Sequence, residues 1–209
     1  MTASNLPQEI RNKKLLAVEG DDDVGFFVQL LDKIKILDFF VLPVDGKGNF
    51  NEQLPLLMKI SGFSKVTHFA IIRDRDENSK NSAFNSIADI LRRKMDFQVI
   101  PSKHGEWSFG KPQIGIFIMP GDAIKGKALE DLCLKTVENH PAIKCVNEFI
   151  SCACALETKP KNISKAKAQT FLAAQPEIVN SVGVGAQKNY WDFQSPALDE
   201  LKQFLSNLK

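Results

Sequence analysis

The chain has 209 residues and a net charge of +2 at pH 7, from 27 Lys and Arg against 25 Asp and Glu. That balance excludes a global basic field, so nucleic-acid contacts would need a local patch. With 44% hydrophobic residues and 15 Phe, the chain can bury one α/β domain with a helical extension, or two small domains.

Residues 1–13 read as a polar arm without the apolar region of a signal peptide. Lys14–Val18 predicts a first strand, and Asp21 to Ile36 a helix whose apolar Val24, Phe27, Val28, Leu31 and Ile34 recur at helical spacing. Phe39–Val44 is the next strand. Asp45-Gly46-Lys47-Gly48-Asn49 is a tight turn, with Asn49 suited to cap a helix through Ile60. Lys65–Ile72 predicts a third strand, leading into Arg73-Asp74-Arg75-Asp76, and Ser82 to Lys94 a helix. This β-α-β-α-β-α rhythm predicts a parallel sheet.

Phe97–Pro101 and Ile114–Met119 are further strand candidates, with a polar hairpin or loop, Lys103 to Gln113, between them. Past Pro120 the pattern turns helical, over Ala128–Glu138, Pro141–Leu156, Ser164–Ala174 and Pro196–Leu208. The expected organisation is the arm at 1–13, an α/β core at 14–125 and a helical extension or subdomain at 126–209. No apolar run approaches the roughly 20 residues of a membrane span. Cys133, Cys145, Cys152 and Cys154 lack zinc-site spacing and read as reduced thiols packed in helices, as in a cytoplasmic protein.

Two apolar runs end abruptly in acids: Leu15-Leu16-Ala17-Val18-Glu19-Gly20-Asp21-Asp22-Asp23 and Ala70-Ile71-Ile72-Arg73-Asp74-Arg75-Asp76. The C-terminal ends of parallel strands open into the ligand crevice, so both runs deliver carboxylates to one rim. Such acids repel one another unless a hard cation, Mg2+ or Mn2+, sits between them. Gly20 allows a sharp turn and close approach of a ligand. Asp23 lies in the first turn of the next helix, and Asp74 and Asp76, two apart in an extended segment, can share one face. Asp21 and Asp22 read as helix caps.

Val18-Glu19-Gly20-x-x-Asp23, followed by Asp74-x-Asp76, resembles the TOPRIM domain of topoisomerases, primases, RNA-maturing nucleases and OLD-type nucleases. The resemblance covers residues 14–120. It implies a TOPRIM-like, Rossmann-like, mostly parallel sheet flanked by helices, with a helical C-terminal part. It also implies that Glu19 acts as general acid or base and can ligate metal, while Asp74 and Asp76 hold divalent ions. Leu129-Glu130-Asp131 is similar to the segment that supplies a second-metal carboxylate in OLD-type nucleases, which implies Glu130. Those enzymes also carry a lysine near the site, a role open to Lys165 or Lys167. The only tyrosine, Tyr190, has no topoisomerase context, so strand passage is not expected.

Gly46-Lys47-Gly48-Asn49 before a helix offers amides and Lys47 to a phosphate. Arg73, Arg75, Arg92, Arg93, Lys47 and Lys103 are available to line a nucleic-acid groove. His68 reads as structural, and His104 as a loop residue open to a catalytic or nucleic-acid contact. Gly183-x-Gly185 is too short for a dinucleotide site, and Trp191 and Phe193 read as packing residues. The functional expectation is an Mg2+-dependent nuclease acting on DNA or RNA. Its metal ligands are Glu19, Asp23, Asp74, Asp76 and Glu130, with Glu19, Lys47 and Lys165 assisting the chemistry. The alternative is a non-catalytic module that binds metal with nucleotide or nucleic acid, as partner of a separately encoded ATPase.

Overall fold

A computed structural model describes residues 6–208, apart from the side chain of Lys47. The strands are β1 (Lys14–Val18), β2 (Phe39–Pro43), β3 (His68–Asp74), β4 (Glu106–Trp107) and β5 (Gln113–Met119). They form one sheet in the order β2-β1-β3-β5-β4. All neighbours are parallel except β4, which runs antiparallel to β5.

The helices are α1 (Asp21–Lys33), α2 (Phe50–Leu57), α3 (Lys80–Arg93), α4 (Leu129–Thr136), α5 (Ala142–Cys154), α6 (Ile163–Ala173), α7 (Val182–Gln187) and α8 (Asp199–Ser206). The fold is α/β, with a helical C-terminal part. Among the described residues no helix is long and apolar enough to cross a membrane.

Side chains alternate across a strand, and both faces of this sheet are covered. Leu16, Val18, Ala70, Ile72, Phe117 and Met119 face one core with α1 and the C-terminal helices. Leu15, Ala17, Phe69, Ile71, Ile116 and Ile118 face the other, with α2 and α3. Helical packing on both faces explains why the strands read as continuous apolar runs.

Four expectations are corrected. Phe97–Pro101 forms no strand: β5 already has β3 on one side and β4 on the other, Val99 is 53% exposed, and Pro101 has no N–H to donate. Asn49 does not cap α2 through its side chain; its Nδ2 donates to the Asp45 carbonyl at 2.6 Å, closing the turn instead. Cys133 is buried in α4, but Cys145 and Cys152 are exposed on α5.

The fourth correction is α7, a helix not expected from its two glycines. The glycines allow it to meet α1 at van der Waals distance. A Cβ on Gly25 would lie 2.8 Å from the Gly183 Cα, and one on Gly183 would lie 2.7 Å from the Asp22 carbonyl oxygen. Tertiary contact therefore overrides weak helix propensity here. Trp191 is buried as expected, stacked on Phe171 of α6 with centroids 5.2 Å apart and donating to the Val182 carbonyl at 2.9 Å.

Candidate metal centre at the carboxyl rim of the sheet

In this strand order, β2 lies on one side of β1, and β3 with β5 on the other. The chain reverses its direction of travel across the sheet between β1 and β3, which is where α/β folds bind ligands. A cleft of about 320 Å3 opens at this rim. Its lining includes Glu19, Asp22, Asp23, Asp74, Asp76 and Glu130, with Lys165 the one lysine among the described lining residues.

Each carboxylate has a local reason for its position. Glu19 follows the last residue of β1. Gly20 then takes an extended conformation as α1 begins, and its N–H donates to Asp23 Oδ2 at 3.1 Å. Asp23 is thus held in the first turn of α1, where an acid also complements the helix dipole. Asp22, read from sequence as a cap only, also lines the cleft, and its Oδ1 lies 3.4 Å from the Gly183 N–H that it accepts from.

Asp74 ends β3, and its Oδ1 accepts from the Leu129 N–H at 3.0 Å. That bond ties the strand to the start of α4 and brings Glu130, in the first turn of α4, to the same cleft. Asp76 departs from the extended geometry expected of Asp74-x-Asp76. Its φ is 54°, a left-handed conformation that Asp tolerates, and its N–H donates to the Lys127 carbonyl at 3.0 Å. Both aspartates still line the cleft.

The electrostatics follow from crowding. Burial, and then the charge of Glu19, push the Asp23 carboxyl up to about 7. Burial likewise holds Asp74 well above the usual carboxylate range, reinforced by Asp23, Glu19, Glu130 and Asp76. The buried Cys133 thiol is raised by burial, then by Glu130, Asp23, Asp74 and Asp22. Like charges gathered in a poorly solvated place favour the protonated form. A divalent cation removes this repulsion, and an all-carboxylate donor set suits Mg2+ or Mn2+.

Of the two lysines considered for a place beside the acids, Lys165 lines the cleft and Lys167 does not. Lys165 is set by Asn162, which caps α6 by accepting from the Lys165 N–H at 2.9 Å and itself lines the cleft. Gly46 lines it too, in a conformation (φ 103°) that favours glycine, with its N–H on the Glu19 carbonyl at 2.8 Å. The Lys47 side chain, a candidate phosphate contact, lies outside the described residues. Arg73, Arg75, Arg92, Arg93 and Lys103 are absent from the cleft lining.

His68 packs edge-on to Trp107, and burial lowers its pKa. His104 lies away from the carboxylate cleft. Its ligating atom, with those of Asp122 and Glu200, forms a group within 4.8 Å of one another. These atoms are already engaged. His104 Nε2 faces Asp122 Oδ2 at 3.1 Å, Lys80 pairs with Asp122, and Glu200 accepts from the Asp122 and Ala123 N–H groups. His104 Nδ1 accepts from the Ile118 N–H at 3.4 Å, which occupies that lone pair.

No curated protein matches the chain. Among solved structures, it is similar to the hypothetical protein PH0156 from Pyrococcus horikoshii OT3, at 16% identity and a TM-score of 0.44, over 93% of this chain and 94% of that one. A family model described as a protein of unknown function matches residues 13–209, and the chain belongs to that family, DUF3226.

Proposed function

We propose that this DUF3226 protein is a TOPRIM-like, Mg2+- or Mn2+-dependent nuclease that hydrolyses phosphodiesters in DNA or RNA. One observation carries the reading: Glu19, Asp23, Asp74, Asp76 and Glu130, from three separated segments, line a single cleft at the switch point of a parallel sheet. Helix capping accounts for Asp23 and for the Asp74–Leu129 bond taken singly, but not for five acids gathered in one cleft.

Asp23, Asp74, Asp76 and Glu130 would hold the metal. When bound, the metal supplies an activated water and neutralises charge at phosphorus. Glu19, at the turn after β1, would take the proton of the attacking water or return one to the leaving oxygen. Lys165 would offset the negative charge that builds on the phosphate oxygens. The Gly46 N–H is held by the Glu19 carbonyl, so the Lys47 and Gly48 amides of the same turn would receive a neighbouring phosphate of the strand.

The test is calorimetric titration of Mn2+ and Mg2+ into the wild type and Asp74→Asn/Asp76→Asn, followed by cleavage assays on single- and double-stranded DNA and RNA. Metal uptake lost in the variant, together with metal-dependent cleavage, supports the reading. Uptake without cleavage of any of the four substrates reduces the protein to a metal-binding module that acts with a partner. Identical traces for the two proteins would remove the metal centre itself.

A further inference from the structure

By exposed area Arg73 is the most buried charged residue among the described residues, at 8% exposure. It leaves β3 on the face opposite Asp74, towards α2 and α3. Its Nη1 donates to the Ser86 hydroxyl at 3.1 Å, and its guanidinium carbon lies 5.7 Å from the centroid of the Phe50 ring. Its Nε is shut off from solvent with no hydrogen-bond partner among the described residues. No carboxylate pairs with it among the described residues. Buried charges are ordinarily paired, because desolvating a lone ion is costly. The ring of Phe50 eases that cost but brings no counter-charge.

The hydroxyl that Arg73 touches is not buried. Ser86 is exposed and stands in the wall of a cleft between α2 and α3, lined by Asn51, Ser86, Asp89, Ile90, Arg93 and Lys94. Arg73 occupies a lone pair of Ser86 Oγ, so the hydroxyl proton is left to donate, and the adjacent positive charge strengthens that donation. Arg93 and Lys94 add two cations at the rim. Asp89, the one carboxylate in the lining, lies 3.7 Å from Arg93 Nε, and Lys94 Nζ reaches the Asn51 carbonyl at 3.2 Å. Two rim cations, with Arg73 behind Ser86, therefore stand against one acid of the described lining.

We infer that the α2–α3 cleft is a phosphate-binding site, in which Ser86 and the rim cations Arg93 and Lys94 bind a phosphate group whose charge neutralises Arg73 behind Ser86. The phosphate can belong to a small monoester such as a nucleotide, or to a nucleic-acid backbone. The site is independent of the carboxylate centre at the carboxyl rim of the sheet, with which it shares no lining residue.

The test titrates inorganic phosphate into the full chain, against chloride at equal ionic strength, and follows thermal stability and binding heat. The proteins are the wild type, Arg73→Met, Ser86→Ala and Asp74→Asn. The wild type and Asp74→Asn are expected to be stabilised alike. Arg73→Met is expected to lose affinity by about tenfold or more, while folding no less stably than the wild type without phosphate, because an unpaired buried charge has been removed. Ser86→Ala, at an exposed position, is expected to weaken binding without a change in fold, and it decides the matter if Arg73→Met does not fold. A nucleoside monophosphate and an unphosphorylated oligonucleotide then separate the two sources; saturable binding of either supports the site. A wild type that phosphate stabilises no more than chloride does, or variants stabilised as much as the wild type, would overturn the inference.

Discussion

Asp74 at the end of β3 and Leu129 at the start of α4 are joined by a 3.0 Å hydrogen bond from the Leu129 N–H to Asp74 Oδ1. One carboxylate therefore has two tasks. It closes a helix start, and it adds negative charge to a crowded cleft. The two tasks separate by substitution. Asp74→Asn keeps an oxygen acceptor for Leu129 and removes the charge, so metal-free stability should rise by about 1–2 kcal/mol while metal uptake is lost. Asp74→Ala removes the acceptor as well and should forfeit about 1 kcal/mol of that gain. Thermal denaturation in chelator and in Mg2+ reads both effects. A metal-dependent rise in melting temperature that survives in Asp74→Asn would contradict the assignment of Asp74 as a ligand.

The raised carboxyls set a direction for pH. Asp23 titrates at about 7 when folded, against 3.8 for the unreacted group, so between those values the folded chain holds a proton that the unfolded chain has lost. Stability should therefore fall as pH rises from about 4 to about 7 and level off above that. Asp74 is shifted in the same direction and deepens the fall. Added Mg2+ should displace these protons and restore stability, with a larger gain at about pH 8 than at about pH 5. Asp23→Asn should flatten the metal-free profile. Equal stabilisation by Mg2+ at both pH values would count against proton-linked metal binding.

How much of this was readable from the chain depends on whether the signal was local. Leu15 to Val18 and Phe69 to Ile72 are unbroken apolar runs because both faces of the sheet are covered, and the acids after them mark the rim. The α7 helix was not readable. Val182-Gly183-Val184-Gly185-Ala186-Gln187 has poor helix propensity, and its stability comes from close contact with Gly25 on α1, a distant partner. Phe97–Pro101 carries strand-like residues, but Val99 stays exposed and the place beside β5 is taken by β4, a pairing that composition does not report. Glu130 was reached through a family resemblance; physically, its place follows from the long-range bond between Asp74 and Leu129. The pairing of Arg73 with Ser86 spans two elements and had no signal in the residue pattern.

The contact between Gly25 and Gly183 is a specific point of failure. A methyl group at either position meets backbone atoms under 3 Å away, and backbone cannot rotate aside. Gly183→Ala should cost about 2–3 kcal/mol, lowering the melting temperature of a chain this size by about 4–12 °C. Because Asp22 and Asp23 stand at this junction, metal affinity should fall as well. Gly48→Ala, where an added Cβ meets nothing within 4 Å, is the control and should leave both properties near the wild type.

Lys165 tests whether the cleft does chemistry or only holds an ion. It is a cation among acids, so removing it should not weaken metal uptake, and through lost repulsion should strengthen it slightly. If it stabilises charge on the reacting phosphate, Lys165→Ala should lower the cleavage rate by about 10- to 100-fold, with Lys165→Arg recovering part of the loss. A variant with weaker metal binding and unchanged cleavage per bound metal would make Lys165 a structural neighbour of the site.

The far edge of the same rim makes the complementary prediction. Glu200, in the first turn of α8, accepts from the Asp122 N–H at 2.7 Å and the Ala123 N–H at 3.1 Å, while Trp107 stacks on Phe204 and donates to its carbonyl at 2.9 Å. These contacts fasten the C-terminal helix to the loop after β5 and to β4. Glu200→Ala leaves two amides without their acceptor and should cost about 1–3 kcal/mol, seen as a lower melting temperature. Since neither Asp122 nor Glu200 lines the carboxylate cleft, Mn2+ uptake per folded molecule should stay at the wild-type level. Loss of metal stoichiometry in this variant would mean that the group around His104 is itself a ligand set, despite the neighbours its atoms already face.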